Sequence, residues 1–299
     1  MKKYLFYRLI FIFLTLFCII LVNFSILRSI KIGAFEVATL TLENNPTGAK
    51  LDTETLAQLK KHFFLDESAV VQFFKTAVNY LFFDFGKSYF SDKSVSKIIL
   101  SKMPVSITLG FFSTLLIYMI AVPLGYFKIN RLVITSLVVL YIIPSFVLAS
   151  LSLLIFKNGN MLMAILINSA SGLLFMTLLA KNIFLSQKQK TYYIFSQYKG
   201  LGAGVLFKNH LLKNFLLIFL SDFSSIFLAI LFGSNLFVEI LFSLDGIGLL
   251  MFESINNKDY PVVLALIYIL SFLGLFLRLL NDIFIIKIDK RLKMYEKTL

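Results

Sequence analysis

Six apolar runs constrain this chain more than any other feature. They are roughly Leu9–Leu27, Val105–Phe127, Leu132–Phe156, Met161–Ala180, Phe215–Ile240 and Val262–Ile286. About 20 helical residues cross a hydrocarbon core of about 30 Å, so each run is long enough to span a bilayer. With 59% hydrophobic residues and a mean hydropathy of +0.86, the 299-residue chain is more apolar than a water-soluble domain, which stays nearer half. The predicted fold class is an all-α polytopic membrane protein with six transmembrane helices. The first run follows Lys2, Lys3 and Arg8, but it is too long for a signal-peptide core and no small-residue cleavage site follows Leu27. It reads as a retained span. The single cysteine, Cys18, lies inside that run, where it is expected to act as a small buried apolar residue.

The formal net charge of +13 raises nucleic acid as a partner until its distribution is mapped. With the N-terminus placed inside, the inside segments carry 16 basic and two acidic residues, Asp289 and Glu296, whereas the outside segments carry 12 of each sign. The whole imbalance sits on one face, as ordinary positive-inside topology requires, and no nucleic acid is needed to explain it. Both termini are therefore expected in the cytoplasm.

The expected organisation is a transmembrane helix over residues 1–27, a periplasmic helical region over 28–103, and a core transmembrane domain of five helices over 104–299. In the external region Asp52 is placed to cap a helix over Thr53–His62 and Asp66 a second over Glu67–Phe83. The second carries Val70, Val71, Phe74, Ala77, Val78 and Leu81 on one stripe, which suggests a small cap packed on the mouth of the bundle. Pro104 is expected in the first turn of the second span, and Pro123 and Pro144 are expected to kink theirs. The turns at Lys128–Arg131 and Lys157–Asn160 leave room only for tight hairpins. Leu241–Tyr260 reads as an external loop punctuated by Gly246, Gly248 and Pro261, with Glu239 at its entry.

Between the fourth and fifth runs lies the most basic stretch, with Lys188, Lys190, Lys199, Lys208 and Lys213 and no acidic residue. Lys190–Lys199 is free of Gly and Pro, Gly200 suits the left-handed conformation that stops a helix, and Ala203–Asn214 resumes helical spacing. Two short helices held between two spans make a rigid knob, better suited to docking a protein than to chemistry. A few charges lie within apolar runs, where they are costly. Arg278 and Asp282 are four apart and are expected to form a structural ion pair. Asp222 with Ser221, Ser224 and Ser225 forms a candidate polar wall of a translocation path. Asn23 reads as helix–helix glue.

Several chemistries are missing. No G-x-x-x-x-G-K-[ST] loop occurs, so the chain is expected to bind no ATP. His62 and His210 are far apart and no serine has a histidine base, which argues against a metal hydrolase or a membrane-embedded enzyme. A secondary transporter predicts inverted repeats that the chain lacks. A non-transporting membrane scaffold stays open.

The run Tyr198-Lys199-Gly200-Leu201, then Val205 to His210 and Lys213-Asn214, resembles the cytoplasmic loop of ABC-importer permease subunits. Glu239-Ile240-Leu241-Phe242-Ser243-Leu244-Asp245-Gly246-Ile247-Gly248, with Asp259-Tyr260-Pro261 after it, is similar to the E-x-x-F-S-x-x-G-x-G and D-Y-P signatures of the peptide/nickel branch. Phe83-Asp84-Phe85-Gly86-Lys87-Ser88 and Met103-Pro104-Val105 to Gly110 resemble the entry into that branch's second span, and the wording of Pro104–Gly110 and Phe242–Leu250 is most similar to microcin C-type peptide importers. The resemblance implies a type I ABC importer transmembrane domain that takes up peptides or similar small solutes. It implies three kinds of partner: a second homologous permease, ABC ATPase subunits that use ATP and Mg, and a periplasmic substrate-binding protein. This chain itself would carry no cofactor. The stretch at about 186–213 would be the coupling helix, with Tyr193, Tyr198, Lys199, Gly200, Leu201 and Val205 touching the ATPase.

Overall fold

The computed structural model describes residues 2–29, 68–91, 93–127, 130–157, 159–212 and 222–288. The helix expected over Thr53–His62, the cap at Asp66 and Ser221 lie outside these residues. The described elements are helical: α1 (Lys2–Ser29), α2 (Ala69–Leu81), α3 (Val95–Tyr126), α4 (Arg131–Ile142), α5 (Ser145–Phe156), α6 (Met161–Lys188), α7 (Thr191–Tyr198), α8 (Ala203–Leu206), α9 (Asp222–Leu241), α10 (Ile247–Asn256) and α11 (Tyr260–Ile288). Two wider π-helical turns occur, Phe207–Leu212 after α8 and Ile230–Ser234 within α9. Helices suit a bilayer because every backbone polar group is satisfied within the segment.

Five of these helices, α1, α3, α6, α9 and α11, are long and apolar enough to cross a membrane. The third predicted span is different. It is not kinked at Pro144 but broken there into α4 and α5, which meet at 95°. Ile143 takes the extended conformation, ψ 120°, that a following proline imposes, and Pro144 caps α5. Each half has 12 residues, about 18 Å of helix, so neither crosses alone. α3 continues through Pro104 and Pro123, and because it starts at Val95 it places Pro104 in its third turn rather than its first. The loop expected over Leu241–Tyr260 contains α10.

The chain packs as two compact units. One unit comprises Val105–Leu249 with Phe276 onward; the other comprises Lys2–Pro104 with Leu250–Leu275. In the first, α3, α6 and α9 close on a core of Ile117, Tyr118, Met176, Phe184, Leu211 and Ile230. In the second, Tyr80 meets Phe85 and Tyr268 edge-to-face and Phe85 tilts against Tyr268, with centroids 5.0 to 5.8 Å apart. Asn23 acts there as expected glue, its side-chain amide donating to the Leu264 carbonyl at 3.2 Å. Cys18, expected to be buried, instead faces outward from α1.

Candidate functional site

The basic stretch folds as its spacing predicts, helix, glycine turn, helix. α6 runs to Lys188, the chain turns at Gln189 and Lys190, and Tyr192 donates a hydrogen bond to the Gln187 side chain, tying the start of α7 to the end of α6. Gly200 takes φ +73° and ends α7; α8 follows after Gly202. A Cβ on Gly200 would meet nothing within 4 Å, so this position requires glycine for its backbone alone.

The knob has two faces of different character. Ile194, Phe195 and Tyr198 share one side of α7 and are exposed, Tyr198 at 87%. Leu201 and Val205 continue the exposed apolar surface. Tyr193 lies on the other side of α7, packed on the first unit's core near Tyr126, Phe184 and Phe207. Burial, and then Tyr126, push the Tyr193 hydroxyl above its ordinary range. Tyr126 is the seat of the knob: its ring meets Phe207 at 4.7 Å and Phe184 at 5.5 Å, and the Lys188 ammonium lies 4.6 Å from its centroid. Of the six residues expected to touch an ATPase, Tyr198, Lys199, Leu201 and Val205 are exposed, Gly200 shapes the turn, and Tyr193 anchors. Ile194 and Phe195, four and three residues before Tyr198, are exposed on the same side of α7.

The glycine-rich signature after α9 is a clamp. Glu239, fully buried near the end of α9, accepts a hydrogen bond from the Gly248 N–H at 2.6 Å in the first turn of α10, where that donor has no helical partner. Ser106 on α3 accepts from the Ile247 N–H at 2.8 Å, and the Asn235 amide donates to the Ser106 carbonyl at 3.0 Å. Asn168 on α6 donates to Asn235 at 2.6 Å. One polar chain thus ties α3, α6, α9 and the start of α10 within the first unit.

The D-Y-P signature makes a second clamp, within the other unit. Asp259 precedes α11 and accepts from the Ser88 hydroxyl at 2.5 Å and the Tyr89 N–H at 3.2 Å. Burial raises the Asp259 carboxyl above its ordinary value, while hydrogen bonds from Ser88, Tyr89 and Val262 pull in the opposite direction. The folded state therefore holds this proton more tightly than the unfolded chain does. Its contribution to stability is fully present below pH 3.8 and is lost as pH rises through the higher folded value. Asp259→Asn is expected to flatten the acid side of the melting-temperature profile; an unchanged profile would remove Asp259 as its source. Beside this clamp is a cavity of about 530 Å³ with Lys93, Lys97 and Lys102 along one wall and Glu253 and Asn257 along the other.

The described candidate path residues differ in burial. Asp222 is half-buried at the start of α9, Ser224 is buried and Ser225 is exposed. Arg278 is exposed and Asp282 half-buried, one turn apart on α11. Among the described residues no group of three His, Cys, Asp or Glu side chains is placed to hold a metal ion.

Residues 107–292 match the family described as the binding-protein-dependent transport system inner membrane component. The chain is 28% identical to the inner membrane ABC transporter permease protein YejB of Escherichia coli O157:H7, over 98% of this chain and 99% of that one. It is 31% identical to the peptidoglycan transport system permease protein YejB of Agrobacterium fabrum, over 81% and 77%. It is 24% identical to the nickel import system permease protein NikB of Staphylococcus aureus, over 82% and 80%.

Proposed function

Because this chain belongs to the binding-protein-dependent transport system inner membrane components, and is a multi-pass permease subunit of an importer rather than an enzyme, we propose that the knob of α7 and α8 is its coupling helix and that peptides or similarly built small solutes are its cargo. A family of this kind works with an ABC ATPase and a substrate-binding protein. We place the knob and both termini in the cytoplasm, from the concentration of lysine and arginine. ATP and Mg are bound by the ATPase, since this chain has no phosphate loop. A second homologous permease completes the path.

The observation that carries the coupling reading is the exposed apolar row of Ile194, Phe195, Tyr198, Leu201 and Val205 within a lysine-rich segment. Apolar side chains that face water on a short rigid element mark a protein interface. The knob is set on Tyr126 at the end of α3 and on the end of α6, so a push on it is delivered to two crossing helices as a rigid body. Closure of the ATPase dimer supplies that push, and alternating exposure of the path follows from it. The lysines Lys93, Lys97 and Lys102 that line the cavity beside the second clamp suit acidic groups on the delivering protein.

The cargo reading rests on the higher identity to a relative named for peptidoglycan transport than to those named for nickel import. Competition between labelled peptide and Ni²⁺ for uptake by the reconstituted transporter tests it; uptake of Ni²⁺ alone reverses it. For coupling, Phe195→Asp with Tyr198→Asp is expected to lower co-purification of the ATPase about 100-fold, as loss of two aromatic anchors at about 1–2 kcal/mol each implies. Full retention of the ATPase by that variant places the contact elsewhere.

A further inference from the structure

Helical spacing divides α2 into three faces, and the third points to a partner. Thr76, Ala77 and Tyr80 are buried, and Phe73 beside them packs edge-on against Phe17 and Phe24 of α1 at 5.5 and 5.4 Å. Gln72, Lys75 and Asn79, spaced three and four apart, form a polar face. Val70, Phe74, Val78 and Leu81 form the remaining face, with Val71 at its edge, and all five are exposed: Val70 at 65%, Phe74 at 59% and Val78 at 51%. The stripe expected to pack inward, as a cap on a bundle, therefore points out, with Ala77 alone of its residues turned to protein. A helix in water places its polar face outward and its apolar face inward; α2 does not.

Depth identifies what covers the apolar row. α1 crosses the membrane over Leu5–Ile26, and Phe17 lies nine residues before Ile26, about 13 Å along the helix. Phe24 lies about 3 Å from the same end. One ring, Phe73, touches both, which sets it about 8 Å below that end. On the other side Tyr80 meets Tyr268 at 5.2 Å, eight residues or about 12 Å into α11, itself a crossing helix. The whole of α2 thus lies at the level where headgroups give way to acyl chains. In the same unit α1 likewise leaves apolar side chains exposed near this end, at Leu21, Val22 and Ile26.

We propose that α2 is an interfacial membrane helix, lying in the membrane surface at the C-terminal end of α1, with Val70, Phe74, Val78 and Leu81 among lipid acyl chains and Gln72, Lys75 and Asn79 toward the headgroups. Its partner is the lipid bilayer. Amphipathic helices of this kind seat their apolar face about 5–10 Å into the boundary, the depth that Phe73 marks. Within the region expected to be periplasmic, α2 belongs to the membrane, and it braces α1 against α11 at that surface through Phe73 and Tyr80.

The chain supplies its own reference for a test. Cys18, its sole cysteine, is exposed on α1 next to Phe17, so a spin label there reports the hydrocarbon phase. Labels at Val70→Cys and Val78→Cys in a Cys18→Ser chain are compared with it. The measurement uses the transporter assembled with cysteine-free partners in phosphatidylethanolamine–phosphatidylglycerol nanodiscs. Relative accessibility to oxygen over a water-soluble nickel chelate is expected to follow Cys18, and to be about three-fold or more above that at Glu253→Cys, an exposed residue lining the cavity. Greater access by the nickel chelate at both positions overturns the proposal in favour of an aqueous cap. Protection from both reagents overturns it in favour of a protein covering.

Discussion

In Gly200→Val, uptake by the reconstituted transporter is expected to fall about ten-fold or more while the subunit still inserts and folds. Gly200 ends α7 at φ +73°, a conformation that costs an ordinary residue about 1–2 kcal/mol and a β-branched one more. Among the described residues no neighbour lies within 4 Å of the added Cβ, so side-chain packing does not offset this backbone cost and the turn is expected to shift toward negative φ. That shift swings α7 relative to α8 and separates Tyr198 from Leu201 and Val205, the row proposed to dock on the ATPase. Gly200→Ala keeps more left-handed population and is expected to lose only about 1 kcal/mol of docking free energy, a few-fold in coupling. Peptide-stimulated ATPase activity and uptake are measured together in proteoliposomes. Wild-type uptake in the valine variant would show that the angle at this turn carries no force.

The second large effect falls on folding. Gly248→Ala is expected to destabilise the subunit by about 3 kcal/mol, combining overpacking with a lost charge-assisted hydrogen bond. Its Cβ would stand 2.7 Å from the Leu236 Cα and 2.9 Å from the Glu239 Oε2. The first is backbone inside α9 and cannot yield, and moving the second breaks the bond that Glu239 accepts from the Gly248 N–H. A marked fall in detergent melting temperature and in yield is the expected readout. Glu239→Ala frees the space but leaves that N–H buried without its acceptor, and is expected to cost about 2 kcal/mol. Thermal stability at the wild-type value in Gly248→Ala would mean that α9 and α10 separate more readily than this packing allows.

These two glycines show where reading the chain succeeds and where it stops. Gly200 acts through its own backbone, so the punctuation between two helical spacings was enough to assign the turn. Gly248 acts through Leu236 and Glu239, residues nine to twelve positions earlier, and a signature records that it is glycine without recording why. The same limit explains Tyr193 and Phe195. Both are aromatic in one short basic helix, and sequence spacing groups Phe195 with Tyr198, but which side of α7 meets Tyr126 depends on how α6 delivers the chain into the turn. Ser106, Asn168 and Asn235 each look like scattered polar residues in apolar runs, and become one tie only when three helices bring them within 3 Å.

Apolar length, charge asymmetry and helix punctuation are local quantities, and they alone determined that this is a helical membrane protein with a basic knob between its fourth and fifth apolar runs. They carried the family as well, because its signatures are strings. Direction was left to the tertiary structure. It broke the third run into a 95° elbow rather than a kink, and it turned the apolar row of α2 away from the protein. In a bilayer both sides of a helix can be apolar, so hydrophobicity ceases to say which face is inside; packing against named neighbours, Phe17, Phe24 and Tyr268 for α2, decides that instead.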